Sequence, residues 1–372
     1  MIDKRIIFFH PYSIYGGADL SISKLIDSVP KDYLIEFITF SKNPKIKFYT
    51  KRKFKLHKLN CNRAVYSILP LRKIIKNDIL KYKKNIILSN QNFANIITII
   101  SCIFLSKIRI ILFERNHISE LDLKKIFIKN IKNSFIKILI KYLYKFSDLI
   151  LGNSKELCED LKKLCKCKIQ LLYNFYDFKK MHLDSIKKLE KKINFKDNII
   201  LNVGRLEEQK NQLYLLKVFK YMLKKNNKLR LLIIGNGKYL GKLRNFINKN
   251  NLNKYVQILT KIKNSLPYYK RSSLYVSTSI YEGFPNVILE AIAMNIPVIS
   301  KKYKSGLREI LLNGNGGTII NNESPESFAN KIIHTLENRQ QMYKKVKEAK
   351  DNIKKFRYDI GKKKFQKFLN FV

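Results

Sequence analysis

The chain has 372 residues, with 75 Lys and Arg against 28 Asp and Glu and a formal net charge of +47. Hydrophobic residues make up 45% of it, including 21 Tyr and 23 Phe, which excludes a chain that stays unfolded. The length exceeds what one core usually holds, so two domains are expected, and the charge points to phosphates, anionic lipid or acidic polysaccharide as partners. Part of that charge belongs to a composition rich in Lys, Ile and Asn throughout.

From the N-terminus, the first apolar run is Ile6 to Phe9, ended by His10, too short for a signal peptide and read as a first strand. Apolar runs that suit buried parallel strands follow at 35–40, 86–89, 108–113, 149–152, 169–172, 199–203, 231–234, 274–277 and 297–300, counting 5–9 as the first. Helical patterns lie between them at 20–29, 127–145, 212–224 and 287–293. The apolar stretch 96–113 is interrupted by Ser101, Ser106, Lys107 and Arg109, so no spanning helix is expected and any membrane contact is peripheral. Strand and helix alternation implies an α/β protein with parallel sheets covered on both faces. The weak, charged patterning of 177–197 places a linker there, between a first domain at 1–176 and a second at 198–353, with 354–372 as a C-terminal helix. The five cysteines, Cys61, Cys102, Cys158, Cys165 and Cys167, form no zinc pattern and read as reduced thiols of the cytosol.

The densest basic segment runs from Lys124 to Lys145. It holds Lys124, Lys125, Lys129, Lys132, Lys137, Lys141 and Lys145, interleaved with Phe127, Ile128, Ile131, Phe135, Ile136, Ile138, Leu139, Tyr142 and Leu143. Such an amphipathic basic helix can lie on an anionic membrane; the same pattern suits a surface helix with a solvated lysine face.

The chemistry concentrates further on. After the strand at 274–277, Glu282-Gly283-Phe284-Pro285-Asn286 forms a tight loop that opens a helix near Val287. A helix start at the carboxyl end of a parallel strand aims unpaired N–H groups into the crevice where α/β proteins bind ligands. Glu282 and Glu290, eight residues apart, suit the hydroxyls of a sugar or ribose better than a phosphate. Two solvated glutamates on a capped helix would show the same spacing. Arg205 and Lys210, five apart after the strand at 199–203, can both reach one diphosphate, the arginine as a fork and the lysine as a point charge.

These residues carry a resemblance. Glu282 through Ala291 resembles the Glu-x7-Glu signature of the family 4 retaining glycosyltransferases of the GT-B fold. Gly16-Gly17 resembles that family's N-terminal glycine loop, and Gly204-Arg205 with Gln209-Lys210-Asn211 its donor-phosphate motif. Asn153-Ser154, Tyr173-Asn174, Gly235-Asn236-Gly237, Gly306 through Ile310 and Gly314 through Gly317 fall in the family's order. The resemblance is strong over 200–320 and weak between 40 and 110.

The resemblance implies two Rossmann-like domains facing each other across a cleft, with the C-terminal helix returning to the first. It implies a nucleotide-sugar donor, UDP-linked by analogy, and an acceptor that is a growing or lipid-linked glycan. Glu290 would hold the ribose hydroxyls. Glu282, with the loop of Gly283, Phe284, Pro285 and Asn286 and its backbone N–H groups (Pro285 has none), would face the donor sugar and diphosphate. Arg205, Lys210, Gly16 and Gly17 would bind the diphosphate, and His117, in Glu114-Arg115-Asn116-His117, would lie close to the transferred sugar. Sugar transfer would proceed with retention, without a metal cofactor, at the inner face of the cytoplasmic membrane.

Asp-x-Asp is absent, as are a Walker loop, Gly-x-Gly-x-x-Gly after the first strand and a Gly-x-Ser-x-Gly elbow. Two other readings remain at this point: an enzyme that uses a UDP-sugar without a glycan acceptor, and a basic nucleic-acid-binding protein, for which no reader motif is present. Variants Glu290→Gln and Lys210→Ala are expected to lose turnover while keeping the fold.

Overall fold

A computed structural model describes residues 3–12, 17–41, 44, 46, 50–59, 61, 63–122 and 127–372, without the side chains of 119, 122 and 127–130. The chain forms two compact units, one of residues 1–175 and 358–372 and the other of Tyr176–Arg357.

The first unit is built on strands β1 (Lys4–Phe9), β2 (Tyr33–Thr39), β3 (Lys55–Lys58), β4 (Lys84–Asn90), β5 (Arg109–Glu114), β6 (Leu149–Gly152) and β7 (Ile169–Leu171). They pair in parallel in the order β3-β2-β1-β4-β5-β6-β7. Alternate residues of the central strands feed two cores. Ile7, Phe9, Ile87 and Leu112 pack with the helices of one face, Ile6, Phe8, Ile86 and Ile111 with those of the other. The second core includes Phe365, Phe368 and Leu369 of the last helix, Tyr358–Phe371. That helix sits close to Phe175: a Cβ on Gly361 would come within 2.2 Å of the Phe175 ring, so only glycine fits there.

One buried charge is structural. Arg5 donates to both carboxylate oxygens of Glu36 at 2.8 and 3.1 Å and to the carbonyls of Ile74, Ile75 and Asn77 at the end of helix Ile68–Lys76. It thereby satisfies helix carbonyls that have no partner of their own. Burial alone would raise the Glu36 pKa, but hydrogen bonds from His57 and Arg5 carry it down to about 2.

The second unit has β8 (Ile199–Val203), β9 (Arg230–Ile234), β10 (Val256–Leu259), β11 (Leu274–Ser277), β12 (Val298–Lys301) and β13 (Thr318–Ile320), parallel in the order β10-β9-β8-β11-β12-β13. The strands expected from sequence are present, and β3, β10 and β13 are additional. All three lie at sheet edges. Residues 177–197, read as a linker, differ from expectation: they carry helix Phe178–Ser185 and fall within the second unit. Its start is capped by Asp177, whose carboxylate accepts from the Lys180 amide, a signal hidden in a charged stretch. The last helix likewise begins at Tyr358, not at 354.

Candidate functional site

In the second unit the order of strands makes β8 and β11 neighbours, so the loops that follow them emerge side by side at the carboxyl edge of the sheet. Side chains stitch these loops together. Gln209 donates to the Tyr281 carbonyl at 3.0 Å while its own carbonyl accepts from the Ile280 amide at 2.8 Å. Thr278 Oγ1 lies 3.1 Å from both the Lys210 and Asn211 carbonyls, and Gln212 donates to the Arg205 carbonyl at 3.0 Å. Asn211 takes the left-handed conformation that turns the chain into helix Gln212–Lys225. Gly235, at the end of the next strand, is required because a Cβ there would lie 1.8 Å from the Gly204 carbonyl oxygen.

This stitching brings Lys210 and Glu282 together. Lys210 Nζ donates to Glu282 Oε1, which also accepts from Ser279 Oγ at 2.6 Å. The side chains are only 14% and 8% exposed. The sequence reading put Lys210 with Arg205 on a diphosphate and Glu282 on the sugar; in the structure Lys210 is the ion-pair partner of Glu282. Arg205 points outward, 54% exposed, with its guanidinium 3.1 Å from Glu207 Oε2 and 3.0 Å from Gln209 Oε1.

Helix Asn286–Ala293 starts one residue earlier than expected, with Pro285 preceding it. Phe284 is buried and meets the Phe356 ring edge-on at 5.5 Å, so its side chain belongs to the core. The Asn286 amide donates to the Phe284 carbonyl at 2.9 Å, and the Asn286 side chain accepts from the Tyr176 hydroxyl. Both groups of Asn286 are thus engaged inside the protein. Gly283 is half-buried in the loop. Glu290 sits a turn into the helix with Tyr269 Oη 3.1 Å from its Oε2. Tyr269, Tyr275, Thr278 and Ser279 are contributors that the sequence reading missed; none has a motif of its own, and only their packing reveals them.

In the first unit, the ends of β1, β4, β5 and β6 carry a buried polar cluster. His10 lies 3.2 Å from Asn90 Nδ2 and 3.5 Å from Asp19 of helix Gly17–Ser28, and its burial lowers its pKa. Arg115 packs its guanidinium 4.3 Å above the Phe113 ring and reaches Asn174 Oδ1 at 3.3 Å, to which Ser21 Oγ also donates. His117 is buried, its Nε2 3.5 Å from Asp160 Oδ2. Gly17 is the exposed first residue of its helix, and Gly16 lies outside the described residues.

Glu114, three residues before His117, is enclosed. It accepts hydrogen bonds from Asn95 Nδ2 at 2.7 Å and Tyr144 Oη at 2.5 Å, and Ser89 donates to Asn95 Oδ1 at 2.6 Å. Burial pushes the Glu114 carboxyl up to about 7. Tyr144 follows helix Phe127–Leu143 in a short turn, Tyr144–Phe146. On that helix Ile131, Phe135, Ile138 and Tyr142 recur at spacings of four, three and four, and are 51–58% exposed. Ile136 and Ile140 are buried on the other side. The helix therefore has an apolar stripe on its outward face as well, with Lys132, Lys137 and Lys141 beside it. Lys124, Lys125 and the Lys129 side chain lie outside the described residues. Among the described residues no helix is long and apolar enough to cross a membrane.

A family model described as glycosyl transferases group 1 matches residues 185–355. The chain is 34% identical over 321 residues to an uncharacterized glycosyltransferase of Methanocaldococcus jannaschii, covering 83% of this chain and 70% of that one. It is 29% identical over 365 residues, 91% of this chain and 95% of the relative, to the N-acetylgalactosamine-N,N'-diacetylbacillosaminyl-diphospho-undecaprenol 4-alpha-N-acetylgalactosaminyltransferase of Campylobacter jejuni. Among solved structures, Anabaena HepE in complex with UDP-glucose matches with a TM-score of 0.78 at 17% identity, over 99% of this chain and 100% of that one. The fold is the GT-B class expected from the sequence.

Proposed function

We propose that this chain, which belongs to the glycosyl transferases group 1 and is a glycosyltransferase, moves a hexose or N-acetylhexosamine from a UDP-sugar to a growing, lipid-linked glycan, with retention and without a metal cofactor. The observation that carries the donor assignment is the Lys210–Glu282 pair held between the stitched loops after β8 and β11, with Glu290 on the adjoining helix. A nucleotide diphosphate offers chemistry that suits these groups: ribose hydroxyls that donate to Glu290, and negative charge that attracts Arg205 and Lys210. Glu282, neutralised by Lys210 and braced by Ser279, accepts from a sugar hydroxyl. Gly17 and His117 keep the roles that the family resemblance implies. A UDP-linked donor is supported by the UDP-glucose bound in HepE, and a lipid-linked acceptor by the diphospho-undecaprenol named for the Campylobacter relative.

In the reaction proposed, an acceptor hydroxyl oxygen bonds to the anomeric carbon on the face from which the diphosphate leaves. The bond between that carbon and the diphosphate oxygen breaks, and the hydroxyl proton passes to the departing phosphate. Arg205 and Lys210 stabilise the charge gathering on that oxygen. The outward stripe of helix Phe127–Leu143, with its lysines, supports peripheral contact with an anionic membrane at its cytoplasmic face, where such acceptors sit.

The reading is tested by calorimetry against a panel of nucleotide-sugars, followed by mass spectrometry of reactions with and without an undecaprenyl-diphosphate-linked glycan. One added sugar on the lipid-linked acceptor is expected. Donor consumption that is indifferent to the acceptor contradicts it.

A further inference from the structure

Glu290 is half-exposed on the first turns of its helix, where a long acidic side chain has several rotamers open to it. Two buried tyrosines restrict it. The hydroxyl of Tyr269, the last residue of helix Leu266–Tyr269, stands 3.1 Å from Glu290 Oε2 and 3.2 Å from the Val287 carbonyl. Its ring stacks on that of Tyr275 in β11, with centroids 5.7 Å apart. The Tyr275 hydroxyl reaches the Val203 carbonyl at 3.3 Å, at the end of β8, where Gly204 and Arg205 follow. One tyrosine stack thus joins the strand that leads into the basic loop to the helix turn that carries the carboxylate. Burial, with Glu290 adding to it, pushes the Tyr269 phenol well above its usual range, so the hydroxyl remains a donor at neutral pH.

We propose that Tyr269 is a positioning residue for recognition of the nucleotide ribose: its hydroxyl holds the Glu290 carboxylate in the orientation that accepts hydrogen bonds from the two vicinal ribose hydroxyls. The proposal rests on the assignment of Glu290 to the ribose. A carboxylate left to sample several rotamers loses part of its binding to the entropy of being fixed again. Tyr269→Phe retains the ring and its stack on Tyr275 and removes only the donor.

The test is calorimetric titration of the full chain with UDP and with 2′,3′-dideoxyuridine diphosphate. Loss of one hydrogen bond to a charged group is expected to weaken UDP binding by Tyr269→Phe roughly 10-fold. The dideoxy compound, which has no ribose hydroxyl to offer, is expected to bind Tyr269→Phe as it binds the wild type. Equal weakening of both ligands makes Tyr269 a packing residue and overturns the proposal, as does an unchanged UDP affinity. Glu290→Gln separates the two levels of the claim. If it keeps the wild-type preference for UDP over the dideoxy compound, the ribose assignment itself fails and the Tyr269 proposal falls with it. If Glu290→Gln loses the preference and Tyr269→Phe keeps it, only the positioning role fails. Should Tyr269→Phe melt low, the double variant decides. No loss of UDP affinity beyond that of Glu290→Gln supports the proposal, and an additive loss overturns it.

Discussion

Lys210 and Glu282, separated by 72 residues in sequence, form a nearly buried ion pair across the loops that follow β8 and β11, with Ser279 as the third partner. Neither charge is well solvated, so each depends on the other. Removing Lys210 leaves a carboxylate enclosed with a single hydroxyl donor, and such a loss typically costs about 3–5 kcal/mol when burial is complete. With some exposure remaining, Lys210→Ala is expected to cost about 2–4 kcal/mol, read as a lower midpoint in urea. The fold-neutral Lys210→Ala anticipated from sequence is revised accordingly. Lys210→Met with Glu282→Gln removes both charges and is expected to regain at least half of that stability while remaining inactive. Independent, additive losses would show that the pair is not coupled.

Two buried carboxylates give the first unit opposite responses to pH. Glu36, held at about 2 by His57 and Arg5 against the burial that opposes them, contributes stability at neutral pH that is lost as pH falls from 4.5 through 2. Glu114, raised by burial to about 7 from 4.5, binds its proton more tightly when folded, so its contribution is complete below 4.5 and lost as pH rises through 7. Glu114→Gln has no proton to lose. Its stability relative to the wild type is expected to rise by on the order of 2–3 kcal/mol between pH 5 and pH 8, followed by denaturant unfolding at each pH. A constant difference across that range would contradict a neutral buried Glu114.

Arg5→Leu removes the partner of a buried carboxylate and uncovers three backbone carbonyls at once. A loss of about 3–5 kcal/mol is expected in chemical denaturation, partly recovered by also replacing Glu36 with leucine. Activity per folded molecule should be unchanged in the double variant, because neither residue belongs to the proposed site.

The outward stripe of helix Phe127–Leu143 separates apolar insertion from charge attraction. The full chain is expected to sediment with anionic but not neutral vesicles. Phe135→Asp with Tyr142→Asp should abolish this at low salt, while replacement of Lys137 and Lys141 by glutamine should weaken it mainly at low salt and lessen its dependence on salt. Sedimentation of the double aspartate variant at the wild-type level would return these residues to an ordinary solvated face.

The interior strands and the edge strand β7 were legible in the sequence as apolar runs; both faces of a central parallel strand are buried, which leaves such a run unbroken. The edge strands β3, β10 and β13 were not. β3 reads Lys-Leu-His-Lys, with its lysines in solvent, and β13 is only three residues long. Of the candidate site, Glu282, Glu290, Arg205 and Lys210 were singled out by spacing after strand ends and by the family resemblance. What spacing cannot show is which of them meet. Lys210 was grouped with Arg205 from their spacing and the family motif; that the adjacency of β8 and β11 also pairs it with Glu282 could not be read from either. Tyr269 and Glu114 were invisible for a different reason: a buried tyrosine and a strand-end glutamate become informative only when their hydrogen-bond partners are known.

The most direct test of the central claim is turnover of a UDP-sugar onto an undecaprenyl-diphosphate-linked glycan by the wild type and by Glu290→Gln, with the anomeric configuration of the product read by NMR. Loss of the charged partner of two ribose hydroxyls is expected to lower kcat/KM by roughly 10–100-fold at an unchanged melting temperature. The wild-type product should keep the configuration of the donor. Wild-type turnover by folded Glu290→Gln, or a product of inverted configuration, would contradict the account.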